Sequence, residues 1–215
     1  MGIPVLLATL APLWWGAVPG ECRHNSALEQ ARVAIEGSRP QAALADIHQA
    51  HMRRGNCRRQ LLENYRLKAM IESLLGDQER CRKAFEVLLT LEPRFQLPPV
   101  SQESLKGCLA KAAESPSERR RLLVALGRPQ RSKDQLRLPL TLTDPQNLAD
   151  HLRVFVRVKG QPRWVSADFE PTELDQVSMP LFAAPGPVEV IVHILDPWDG
   201  VLFELGTAEA PLPVR

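Results

Sequence analysis

Close to residue 135 the apolar period of this chain changes, and no single kind of secondary structure satisfies both sides of the change. Before it, apolar residues return every three or four positions, as one face of a helix requires; after it they alternate, as a half-buried strand requires. The run 58–75, RRQLLENYRLKAMIESLL, sets Leu61, Tyr65, Ala69, Ile71 and Leu75 along one side of a helix. The run 152–158, LRVFVRV, puts Leu152, Val154, Val156 and Val158 on one face and Arg153, Phe155 and Arg157 on the other. With 215 residues, a helical part and a strand part can each hold a core.

The helical part is well punctuated. Ser26 with Glu29 three residues later reads as a capping box, and Leu28, Ala31, Val33 and Ile35 follow as an apolar stripe. Gly37 closes that helix, and Pro40 opens a second carrying Ala43, Ile47 and Ala50. After the third helix, Gly76-Asp77 turns the chain into a fourth over 78–91, with Cys81, Phe85, Leu88 and Leu89 inward. Pro93 stops it, because proline lacks the N–H and clashes with the preceding turn. The stretch LEPRFQLPPVSQES is then a closing turn, with Phe95 and Leu97 tucked under the helices and a fifth helix starting near Ser101 or Gln102. That helix presents Leu105, Cys108, Leu109 and Ala112. In SPSERRRLLVALG, Ser115, Pro116 and Gly127 have the places of cap, first turn and stop of one more short helix, and 127–135, GRPQRSKDQ, reads as a linker.

The strand part, 136–215, contains LRLPLTLT, LRVFVRV, PRWVSADF, DQVSMPLF, PVEVIVHIL and VLFELGTA at roughly regular intervals, which predicts antiparallel β-structure in two layers. Asp196-Pro197-Trp198-Asp199-Gly200 is the turn of a hairpin between the last two long strands. Pro139 and Pro180 suit edges or bulges, since proline cannot donate to a ladder.

The first 20 residues, MGIPVLLATLAPLWWGAVPG, read as a secretory signal peptide cleaved after Gly20, although no Lys or Arg precedes Arg23. A buried N-terminal segment is the alternative. The apolar run is short for a membrane span and carries Pro4 and Pro12, so no stable span is expected in the mature chain. Glu21 before Cys22 does not suit a lipoprotein signal. Export to the periplasm or medium would make disulfides of the four cysteines, Cys22, Cys57, Cys81 and Cys108, whose spacing lacks any C-x-x-C. Three pairings are open. Cys22–Cys57 would staple the first helix pair to the next, leaving Cys81–Cys108; buried free thiols are the other reading.

Ala69, Gly76-Asp77, Cys81, Phe85, Leu88-Leu89 and Pro93 stand where the tetratricopeptide repeat has its small residue, turn, small residue, aromatic, aliphatic pair and proline, and this part, 21–126, resembles that repeat. A helical hairpin of that kind buries its face only by stacking, so the fifth helix is expected to cap it. LPLTLTDP, VFVRVKG followed by Trp164-Val165, and the tail VEVIVHILDPWDGVLFELGTAEAPLPV are similar to immunoglobulin-like envelope modules. The whole resembles bacterial exported proteins that join tetratricopeptide-like helices to a C-terminal β-sandwich. The resemblance implies interaction with a protein partner in the cell envelope and no particular chemistry.

A net charge of +2 gives no argument for nucleic acid. The sequence has no G-x-S-x-G, P-loop, H-E-x-x-H or dinucleotide fingerprint, and it is read as non-enzymatic and without a cofactor. His48 and His51 share a helix face but lack an evident third ligand; Asp196, Asp199 and Glu204 offer hard oxygens but read first as turn formers. The expected function is that of an exported or periplasmic protein–protein interaction adaptor with a helical groove, with Asn64, Tyr65 and Lys68 taken as exposed partner-binding candidates. The alternative is a carbohydrate- or peptidoglycan-binding module using the loops of the β-sandwich, with Trp198 as the glycan-stacking residue; Trp164 is read as a core or sheet-surface residue.

Overall fold

The structure is a computed structural model and describes residues 14–15, 19, 21–114, 121–132, 135–172, 177–180 and 186–214. The expected signal peptide therefore lies almost wholly outside the described residues, as do Ser115 and Pro116. Among the described residues the chain is mixed α and β, with helices first and antiparallel sheets after.

Five helices fill the first part: α1 (Ser26–Glu36), α2 (Pro40–Met52), α3 (Arg58–Leu74), α4 (Gln78–Leu91) and α5 (Glu103–Ala113). Their limits follow the local signals, with Pro40 in the first turn of α2 and Gly76 at φ +81° between α3 and α4. Asp77 caps α4 by accepting from the Arg80 N–H at 2.9 Å. The cap of α1 is Asn25 rather than Ser26. Its Oδ1 accepts from the Leu28 N–H at 3.2 Å while its Nδ2 donates to the Ala50 carbonyl at 3.0 Å and to Asn56 Oδ1 at 2.7 Å. A tertiary network between the start of α1 and the end of α2 thus selects the cap, which no local pattern specifies. Within the α1 stripe, Ala34 is buried and Val33 is exposed.

The helix cores interleave small residues with larger ones. Ala31, Ala34, Ala43 and Ala50 pack with Leu28, Ile47, Leu67 and Ile71 between α1, α2 and α3. Ala69, Cys81, Ala84, Phe85, Leu88 and Leu105 pack with Cys108 and Ala112 between α3, α4 and α5. Phe95 and Leu97 lie against this second group, with Phe95 at 6.0 Å from Phe85 between ring centres, so the proline-rich stretch closes the helix pair. Both expected disulfides are present, Cys22–Cys57 and Cys81–Cys108, with Cα separations of 5.1 and 6.0 Å.

The strands are β1 (Trp14–Trp15), β2 (Leu123–Leu126), β3 (Gln130–Arg131), β4 (Gln135–Arg137), β5 (Leu140–Thr143), β6 (His151–Val158), β7 (Val165–Phe169), β8 (Ser178–Pro180), β9 (Val188–Leu195), β10 (Val201–Leu205) and β11 (Leu212–Val214). The large sheet runs β1-β7-β6-β9-β10, and β11 shares with β10 the second edge of β9. The other layer is formed by β2-β5 and by β3-β4-β8. Leu136, Leu138, Leu140, Val177 and Met179 of this layer meet Leu152, Val154, Val156, Val190, Val192 and Ile194 of the large sheet in one core.

The expected helix after residue 115 and the linker at 127–135 are corrected by the structure. Leu123–Leu126 pairs antiparallel with Leu140–Thr143, and Gln130–Arg131 pairs with Leu136–Arg137, so 123–132 and 135–143 run antiparallel, interrupted at Gly127 and Pro139. The Gly127 N–H donates to the Pro139 carbonyl at 2.7 Å, and a Cβ on Gly127 would sit 3.2 Å from Pro139 Cβ. Proline deprives the ladder of one donor, and glycine permits the close approach that restores continuity on the other strand. LLVAL has no period that tells strand from helix, and its pairing with LTLT decides the matter.

Among the described residues, helices and strands share one core. Leu61 of α3 and Leu91 of α4 belong to the strand core, and Leu122 donates its N–H to the Thr90 carbonyl at 3.4 Å.

Candidate functional site

Two of the concavities along the seam between helices and sheets have side chains of α3 in their walls. The first is a groove of about 760 Å³ on the α3–α4 face. Positions 58, 62 and 66 of α3 recur at helical spacing on this face. Leu62, Leu88, Phe95 and the Cys22–Cys57 bridge give an apolar floor, while Arg58, Arg59, Glu63, Arg66, Glu92 and Glu204 supply charges of both signs. Arg58 is anchored: it donates to the Leu91 carbonyl at 2.6 Å and to the Leu202 carbonyl, and its guanidinium lies 5.8 Å from the centre of the Phe203 ring. Burial lowers its pKa, and burial raises that of Glu204, which Arg58 pulls the other way. Glu63 is held by Arg32, at 2.8 Å from Nε, and by Arg66 at 3.6 Å. Arg59 is exposed.

The second concavity, about 280 Å³, sits where the Asp196–Gly200 turn docks into the α2–α3 corner. The Gly55 N–H donates to the Trp198 carbonyl at 3.0 Å, and the Val201 N–H donates to the Asn56 carbonyl at 2.9 Å. Asp196 Oδ1 accepts from the Trp198 and Gly200 N–H groups at 2.9 and 2.7 Å. A Cβ at Gly200 would come within 2.7 Å of Asp196 Oδ2, so the turn requires glycine there. His51 packs edge-on against Trp198 at 4.8 Å and against Tyr65 at 5.4 Å, with its Nε2 3.9 Å from Asp196 Oδ2. Burial, reinforced by Lys68 and His48, lowers the His51 pKa to about 4, and burial raises those of Tyr65 and Asp196.

These positions revise the expectations about binding residues. Asn64 is not exposed: it is 2% accessible and donates from Nδ2 to the Ile47 carbonyl at 3.1 Å, joining α3 to α2. Tyr65 and Lys68 are half-buried, and Tyr65 lines the junction rather than the groove. The 61/64/65/68 face of α3 looks toward α2 and the docked turn, and the neighbouring 58/62/66 face lines the groove. A 3.6-residue period shows that a helix has a buried face but not which neighbour each edge of that face meets. Trp198 is half-buried with a structural contact of its own, and Trp164 is buried beneath Arg157, 4.3 Å from its ring centre.

The two groups weighed for metal are dispersed. His48 is exposed while His51 enters the junction. Asp196 closes its turn; Asp199 pairs with Arg153 at 3.0 Å and His151 at 3.3 Å; Glu204 lines the groove. Among the described residues no group of three or more His, Cys, Asp or Glu could hold a metal ion. No described helix is long and apolar enough to cross a membrane, and two disulfides fit an oxidising compartment outside the cytoplasm.

The chain matches no protein-family model, and no curated protein is similar to it in sequence.

Proposed function

We infer that this protein is an exported, non-enzymatic adaptor of the cell envelope, with tetratricopeptide-like helical hairpins capped by α5 and an immunoglobulin-like β-sandwich at its back. The observation that carries the reading is the groove floored by Leu62, Leu88 and Phe95 and rimmed by charges of both signs. An extended or helical partner segment would bury apolar side chains on that floor and set its register with polar groups on the rim. The two disulfides support an exported setting, and the signal-like residues 1–20 supply a route to it.

A photo-crosslinking residue placed at Arg59 or Arg66 should capture a defined partner in intact envelopes, and the double change Arg59→Glu with Arg66→Glu should reduce a second capture site at Glu92 at least tenfold. The same residue at exposed Val33, away from the groove, serves as the control. Equal capture at Val33, or capture unaffected by the double change, would overturn the reading.

A further inference from the structure

The outer face of the large sheet has an acceptor edge that the adaptor groove does not use. On β7, Val165 and Ser166 lie opposite Trp15 and Trp14, in antiparallel register, and β6 covers the other side. Among the described residues, Ala167–Phe169 have no strand partner on the Trp14–Trp15 side.

The rows across the sheet define what this edge accepts. One row runs Ile191, Phe155, Ser166, and its next position outward is opposite Ser166. Phe155 and Ile191, with Trp164, form a buried apolar patch on the outer face. Ion pairs flank it, Arg153–Asp168 at 2.7 Å on one side and Arg157–Glu189 at 2.6 Å on the other. The adjacent row runs Val190, Val156, Val165 and belongs to the core side. Successive residues of a strand point to opposite faces. Two consecutive bulky apolar residues added here would therefore extend one apolar row on each face. Beside the patch is a cavity of about 800 Å³, bounded by Phe155, Ser166 and His193 and by Pro19, Glu21 and Arg23. Trp14–Trp15 on the edge and Pro19, Glu21 and Arg23 at the cavity both lie on this face.

We propose that the β7 edge is a strand acceptor, occupied by Trp14–Trp15 before cleavage and, in the mature chain, by an extended partner segment with two consecutive bulky apolar residues. The partner half rests on removal of residues 1–20. An open edge with unpaired N–H and C=O groups is a template for strand addition, in which main-chain hydrogen bonds give affinity and alternate side chains give specificity.

The test uses the protein exported by its host, with the N-terminus read by intact mass. A fluorescent peptide of residues 13–18, LWWGAV, should bind the mature protein and slow amide exchange within 162–167, the stretch opposite it in the Trp14–Ser166 and Trp15–Val165 register. The peptide with both tryptophans changed to Ala should bind at least tenfold more weakly. Absence of binding, equal binding of the two peptides, or exchange protection elsewhere would overturn the proposal. A mature mass that includes Trp14 and Trp15 would overturn its partner half. Concentration-dependent self-association released by the peptide would give the edge to a second copy and equally overturn it.

Discussion

The helical and strand halves of this molecule reach stability by different means. About half of the buried residues in the helix cores are alanine or cysteine, which let α1–α5 approach closely but remove little apolar area from water. The strand core is made of Leu, Val, Ile and Met with the single alanine Ala167, and has no cysteine. At roughly 25 cal/mol per Å² of apolar surface buried, a Leu contributes far more than an Ala. The bonds Cys22–Cys57 and Cys81–Cys108, both in the helical half, offset this by restricting the unfolded chain across 35 and 27 residues. A close-packed helical stack of small residues is thus braced covalently, whereas the β-layers are held by burial.

The comparison breaks most directly at the disulfides. Removing both by Cys22→Ser, Cys57→Ser, Cys81→Ala and Cys108→Ala should cost about 3–4 kcal/mol per bridge by the loop-entropy relation, the largest effect expected here. Hydrogen exchange should show α5 losing protection first, because Cys108 ties it to α4, while β6 and β9 keep theirs. Simultaneous loss in helices and strands would mean that the cross-links support the whole molecule and not the helical half.

A second change asks where the two halves meet. Leu61 belongs to α3 by sequence but to the strand core by contact and is fully buried. Leu61→Ala should cost about 2–5 kcal/mol through lost transfer energy and the cavity left behind. Urea unfolding followed separately by far-ultraviolet signal and by tryptophan fluorescence should move to a lower midpoint by the same amount in both. A shift in one probe alone would separate the halves and remove the seam from the shared core.

How far the sequence reveals these differences depends on the range of the forces involved. The five helices, their stops at Gly76-Asp77 and Pro93, and the Asp196–Gly200 hairpin are legible because each rests on local capping or turn chemistry, whereas the cysteine pairing is one preference among three until the helix packing places Cys22 by Cys57 and Cys81 by Cys108. The pairing of 123–126 with 140–143 is not legible, because LLVAL becomes a strand only through a partner some 17 residues away, at Leu140–Thr143. The choice of Asn25 as cap is hidden for the same reason, since its amide bonds reach Ala50 and Asn56. The residues lining the α3–α4 concavity are not legible either. Asn64 looks polar and therefore exposed, yet its amide satisfies a carbonyl of α2, and the lining falls instead on Arg58, Leu62 and Arg66.

The smallest expected effect is a pH dependence that distinguishes the seam from the strand interior. Two histidines are held neutral by burial: His51 at the seam, also disfavoured as a cation by Lys68 and His48, and His193 in β9, also disfavoured by Arg153. Both have pKa values lowered to about 4, against about 6.5 for an unfolded histidine. Between those values the unfolded chain binds more protons than the folded one, so stability falls as pH drops from about 6.5 toward 4. Asp196, 3.9 Å from His51, opposes this because its raised pKa makes the folded form take up a proton earlier. His51→Gln and His193→Gln should each leave stability near neutral pH close to unchanged while flattening the acid slope, by up to about 1 kcal/mol per pH unit for one proton. The measurement is the urea midpoint across pH 4–7. In His51→Gln the reduced slope should persist when Asp196→Asn is added, whereas Asp196→Asn alone should steepen the loss. An acid slope identical in the parent and in His51→Gln would show that the seam histidine is already free to protonate in the folded state, and that the docked Trp198 turn does not exclude water from it.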